Sequence, residues 1–339
     1  MNRFRHLIPF FVLLVLAIAA CDPSTDENGG SDDEAIDVTL FVSFIPSVQF
    51  APVYAAIENG YFADAGLNVT VEHSFNEADG VDRIAINDLQ FGLISGEQVL
   101  IARSTGRPLV YVYEWYHNFP VGVVAPADSD ITAPEDLVGQ DVGIPGPFGA
   151  SYMGLRALLS ANNLSEDDLN LNAIGFTAPE TVCAGEVDAA VVYLSNEPLT
   201  IQENCFDVNV IRISDYVELI SNGLVTNETT IEDHPERVAG MARGLQRGIA
   251  WTLDNPDAAF DLSVENFVQD LPEDEYETQR QVLENSLVIW QSPDPGATIR
   301  ERWERTQQAL LAAGLLEEPL DNLDAAYTND FLPQNRDDD

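Results

Sequence analysis

Apolar positions along this chain fall into short alternating runs separated by stretches of helical period. Residues 38–44 alternate and predict a strand that breaks at Ile45-Pro46-Ser47; residues 49–58 predict a helix stopped by Asn59-Gly60. Strands are expected at 67–72, 89–94 and 109–113, with helices at 81–87 and 97–104 between them. A strand at 121–125 has the character of a crossover, and Thr132 caps a helix that starts around Pro134. A second alternating set follows, with strands at 141–144, 171–175 and 189–193 and helices at 149–161, 180–185 and 197–203. Two more strands are expected at 208–213 and 224–226, and from Pro235 to about Tyr327 the period is nearly all helical, with stops at Pro256, Pro272 and Pro293 to Pro295. Strands alternating with helices indicate parallel sheets covered by helices, an α/β fold. A body of roughly 300 residues is large for a single core and points to two lobes.

The first 37 residues follow a different pattern. Arg3 and Arg5 precede an apolar run at 7–20, which is too short to span a bilayer comfortably and suits an export signal. The run ends Leu16-Ala17-Ile18-Ala19-Ala20-Cys21, which resembles a bacterial lipobox. That resemblance implies cleavage before Cys21, lipidation of Cys21 and residence at the outer face of the membrane. An ordinary secretory signal ending at a chance Cys is the plainer alternative. Residues 21–37 are acidic and polar, unable to bury enough surface to fold, and read as a disordered tether.

Charge narrows the partners. The chain carries 57 Asp plus Glu against 15 basic residues, all of them Arg, for a formal net charge of −42. Nucleic acid and anionic lipid are poor partners for such a surface. Adaptation to salt and an Arg-favouring genome account for the composition equally well. Cys183 and Cys205 form an even pair beyond Cys21, open to three readings: a disulfide, two buried thiols, or a metal site. The four His form no ligand-spaced cluster, and neither G-x-G-x-x-G nor a P-loop occurs, so no metal or cofactor is expected.

In open α/β sheets ligands sit beyond the carboxyl ends of strands, at helix starts. Those ends hold Phe44, Gln49 and Phe50; then Ser95 and Glu97; then Trp115 and Tyr116. In the second set they hold Gly149 and Ser151, then Tyr193, Asn196 and Glu197. Aromatic faces beside neutral hydrogen-bonding groups suit a flat polar heterocycle. No Arg falls in these loops, so an oxyanion would depend on the bare helix start near Gly149. Ser151 and His117 could serve as nucleophile and base, but no third residue stands at a telling spacing to orient them.

The segment Phe50-Ala51-Pro52-Val53-Tyr54-Ala55-Ala56-Ile57-Glu58-Asn59-Gly60-Tyr61-Phe62, continuing Ala65-Gly66-Leu67-Asn68-Val69, resembles the opening motif of the thiamine-pyrimidine, nitrate and sulfonate class of ABC-transporter solute-binding proteins. Matches recur in order at Leu89-Gln90-Phe91-Gly92, residues 136–146, Gly185-Glu186-Val187-Asp188-Ala189-Ala190 and Asn222-Gly223-Leu224-Val225-Thr226. The resemblance implies a two-lobed, type II periplasmic-binding fold, with lobe 1 at 38–125 plus 224–330, lobe 2 at 126–223, and the helical C-terminal region packed on lobe 1. Hinges are then expected near 125–128 and 213–226. It also implies a non-enzymatic monomer that hands a small solute to a permease and its ATPase, touching the membrane through its lipid anchor alone. Tyr193-Leu194-Ser195-Asn196-Glu197-Pro198 is similar to the Asn-Glu pair of the vitamin and pyrimidine branch, where the Glu meets ring donors. Riboflavin is the favoured cargo, the thiamine pyrimidine precursor the alternative, and a sulfonate or nitrate the third choice. The fungal pyrimidine synthases of the same fold carry a Cys-rich iron motif that is missing from this sequence.

Overall fold

A computed structural model describes residues 35–333; the expected signal at 1–20, Cys21 and nearly all of the tether lie outside the described residues. The first sheet is built from β1 (Ile36–Val42), β2 (Leu67–His73), β3 (Phe91–Ile94) and β4 (Leu109–Glu114), with α1 (Ala51–Glu58), α2 (Glu77–Ala85) and α3 (Gly96–Ser104) between them. The second sheet holds β5 (Val121–Pro126), β6 (Asp141–Ile144), β7 (Asn170–Ala173), β8 (Ala189–Tyr193) and β9 (Val208–Arg212), with α4 (Gly149–Ala161), α5 (Ala178–Cys183) and α6 (Glu197–Asn204). The chain then returns as β10 (Gly223–Asn227), which enters the first sheet between β3 and β4, antiparallel to both. The orders are β2-β1-β3-β10-β4 and β7-β6-β8-β5-β9, so each lobe has one antiparallel strand donated across the crossover.

Three departures from the sequence expectation matter. β5 does not close lobe 1; it lies inside the second sheet, hydrogen-bonded to β8 and β9, so the first crossing between lobes falls before Val121. Its residues are buried on both faces, which a central strand requires, and periodicity cannot say which sheet receives such a strand. The helix expected from Pro134 is only a single 3₁₀ turn, Pro134–Leu137. The helix expected at 81–87 starts earlier, because Asn76 caps α2 by accepting the Asp79 N–H.

The C-terminal region folds as α7 (Glu228–Asp233), α8 (Pro235–Asp254), α9 (Pro256–Asn266), α10 (Tyr276–Trp290) and α11 (Arg300–Ala312). Val238, Met241, Leu245 and Ile249 of α8 pack with α1 on one face of the first sheet. Gly248 admits this crossing, since a Cβ there would run into the Pro52 carbonyl. Trp303 of α11 covers the opposite face, wholly buried beside Tyr111, with its indole N–H donating to Thr298 Oγ1 at 3.0 Å. α11 also reaches lobe 2, where Arg156 of α4 donates to the Ala313 carbonyl at 2.6 Å. Cys183 and Cys205 are joined by a disulfide, Cα atoms 5.8 Å apart, tying the end of α5 to the end of α6.

Candidate functional site

The carboxyl ends of both sheets face each other across one cleft that encloses about 910 Å³ of non-protein space, part of it open to solvent. Phe44, Gln49, Phe50, Ser95, Trp115 and Tyr116 line it from lobe 1. Gly149, Ser151, Tyr193 and Glu197 line it from lobe 2.

Each wall is held by its local structure. Ser47 starts the turn after β1 by accepting the Gln49 N–H, and so places Gln49 on the cleft floor. His73 Nδ1 stands 2.9 Å from the Phe44 carbonyl; a carbonyl only accepts, so Nδ1 carries the proton. Burial pushes the His73 imidazole below its usual range, which keeps the ring neutral in this role. Trp115 and Tyr116 follow β4, and both lean on Trp290 of α10, with centroids 5.6 and 6.4 Å away. Packing from behind fixes their rotamers, so the edges and faces they turn to the cleft form a rigid wall.

The lobes meet through side chains. Gln49 Nε2 donates to Ser195 Oγ at 2.9 Å, and Asn196 Nδ2 donates to Gln49 Oε1 at 3.4 Å. Phe44 meets Phe176 edge to face at 5.5 Å. A partly buried chain runs from Tyr193 OH to Asn222 Oδ1, from Asn222 Nδ2 to Ser95 Oγ, and from the Ser95 hydroxyl to Glu77 Oε1. Asn222 stands at the second crossing between lobes, and its carbonyl accepts the N–H groups of Trp115 and Tyr116 at the first.

Two expected residues sit elsewhere. Glu97 is fully buried beneath the site, both carboxylate oxygens lack a partner among the described residues, and burial with nearby Glu77 pushes its carboxyl far up. Its place in the first turn of α3 turns it inward, away from the cleft. Asn196 is not on the wall; it acts one step back, through Gln49. His117 is also off the wall, paired with Glu114 at 3.0 Å, so it makes no dyad with Ser151. Sequence reasoning missed Glu77, Phe176 and Asn222, all of which line the cleft. The Asn76 cap was the signal for Glu77, and Asn222 was visible only inside a matching motif.

The cleft is aromatic and carries no cationic side chain among the described residues that line it. Its polar groups are hydroxyls, amides and two carboxyls, Glu77 and Glu197. Burial pushes the Glu197 carboxyl up to about 7 despite backbone N–H groups that favour its charge, and its Oε2 lacks a partner among the described residues. A carboxyl so poised can accept a ring N–H when ionised or donate to a ring nitrogen or carbonyl when protonated.

Two lobes, two crossings and a polar-aromatic cleft between them make up a periplasmic-binding fold. The chain belongs to the NMT1/THI5 like family, whose profile matches residues 47–259. It is 37% identical over 340 residues to the riboflavin-binding protein RibY of Chloroflexus aurantiacus, covering 95% of this chain and 96% of that protein. It is 29% identical to the formylaminopyrimidine-binding protein of Halalkalibacterium halodurans, covering 91% of this chain and 94% of that one. Among solved structures, the alkanesulfonate-binding protein SsuA of Xanthomonas axonopodis pv. citri shares the fold with a TM-score of 0.68 at 15% identity, over 87% of this chain and 99% of that one.

Proposed function

We propose that this protein is the solute-binding component of an ABC importer that captures riboflavin and delivers it to a membrane permease without making or breaking bonds. The observation that carries the reading is Glu197: a carboxyl lining an aromatic cleft without cationic side chains, with a buried oxygen that has no partner, both among the described residues. A flat ring with N–H and carbonyl groups would satisfy that oxygen and stack on Trp115, Tyr116 or Tyr193. A sulfonate or nitrate would meet two carboxyls and no counter-charge. The RibY likeness supports riboflavin; the formylaminopyrimidine-binding relative supports the thiamine pyrimidine precursor as the second reading.

In this reading the lobes close by hinge motion at the two crossings, with Asn222 between them. Lipidation at Cys21 would hold the binder, as a monomer, on the outer face of the membrane and keep its concentration high near the permease. Titration of the purified protein with riboflavin, followed by quenching of flavin fluorescence, tests the cargo. Saturable quenching at micromolar protein or below is expected. Binding of taurine or nitrate, with no response to riboflavin or an aminopyrimidine, would sink the reading. Mass spectrometry of the membrane-extracted protein tests the anchor, and an unmodified N-terminus would reject it.

A further inference from the structure

α4 begins on the cleft wall without neutralising its own start. Phe148, the residue before it, has no side-chain acceptor, and the first turn carries no acid. Free N–H groups and aligned peptide dipoles at such a start attract negative charge. The helices that share the cleft differ: α2 carries Glu77 and Asp79 in its first turn, α3 carries Glu97 and α6 carries Glu197. The acid that faces this start comes from the other lobe. A Cβ on Gly149 would lie 2.8 Å from Glu77 Oε2, and the left-handed φ of +67° suits Gly149 to this close approach. Glu77 is 2% exposed, and its Oε1 accepts the N–H and the hydroxyl of Ser95, both at 2.7 Å. That grip leaves Oε2 directed at the start of α4.

We infer that Glu77 is a specificity-determining residue, a built-in carboxylate that occupies the anion-attracting start of α4 and so shuts out ligands bearing phosphate, sulfonate or nitrate. The inference rests on the reading of the cargo as a neutral heteroaromatic and adds the residue that enforces neutrality. It also explains how a helix start in an open cleft can remain unavailable to the abundant inorganic anions outside the cell.

The test uses the folded protein and inorganic phosphate as probe, at fixed ionic strength, read by thermal shift. Glu77→Gln keeps the shape and an oxygen for Ser95 but removes the charge. It should bind phosphate about tenfold or more tightly than the parent, while Glu77→Asp, which keeps the charge, should not. Should the Gln variant fold poorly, Glu77→Ser opens the same helix start and takes its place. Equal phosphate affinity in the parent and the charge-removing variant, or an equal gain in Glu77→Asp, overturns the inference. A parallel riboflavin titration of the parent separates the two ideas. Its failure rejects the flavin cargo and leaves the phosphate result to decide Glu77.

Discussion

Gln49 donates from Nε2 to Ser195 Oγ at 2.9 Å, a buried bond between residues 146 positions apart that joins the floor of one lobe to the rim of the other. Gln49 also receives Asn196, so one amide carries both polar links from lobe 1 to the turn that presents Glu197. In the proposed function, a solute entering between the lobes would be held by the same closure that this amide favours.

Gln49→Ala should therefore shift the protein toward the open form. A net hydrogen bond contributes about 1 kcal/mol, so a roughly fivefold rise in Kd is expected. Small-angle scattering should show a larger radius of gyration for the variant without solute. An unchanged radius and an unchanged Kd would show that the amide is not a latch.

Glu197 should leave a pH signature. Its folded pKa of about 7 stands above the usual carboxylate value of 4.5, so the native state binds the extra proton between those pH values. Stability from this group is fully present below about pH 4.5 and is lost as pH rises through about 7. The loss is on the order of 1–3 kcal/mol. Glu77, Glu97 and Glu114 are shifted the same way, so the informative quantity is the difference from Glu197→Gln. Melting curves from pH 4.5 to 8 should fall less steeply for that variant. Parallel curves would reject the assignment.

Trp290 touches Trp115 and Tyr116 from behind and is 3% exposed. Trp290→Ala should cost about 3–5 kcal/mol of stability and loosen both wall residues. Trp290→Leu, which keeps more bulk, should retain most of the stability and still weaken solute binding several-fold. Denaturant unfolding and solute titration on the same samples separate the two effects. Full affinity in the Leu variant would mean that the wall holds itself.

The Cys183–Cys205 bridge closes a segment with a sequence separation of 22 residues. Loop-closure entropy for a segment of this length is worth about 3 kcal/mol. Replacing both Cys by Ser should lower the melting temperature by several degrees while leaving solute affinity nearly unchanged, because neither Cys lines the main cleft. A large loss of affinity would place the bridge in the hinge motion instead.

Much of this molecule was legible in its residues. Strand alternation and helical period gave nearly every element, because the two periods are dictated by which side chains can reach a core. Loops at strand ends named Gln49, Ser95, Trp115, Tyr116, Tyr193 and Glu197, since backbone polarity keeps such loops on the surface where ligands arrive. Two things were decided only by packing. β5, apolar along its length, could enter either sheet, and its hydrogen bonds to β8 and β9 settled which. Glu77 and Glu97 are both acids in the first turn of a helix beside the site, alike by every local rule. The docking of α2 and α3 on the sheet turned Glu77 into the cleft and Glu97 beneath it. Local sequence sets that an acid stands at a helix start, but the rotation of the helix against its neighbours sets what that acid faces.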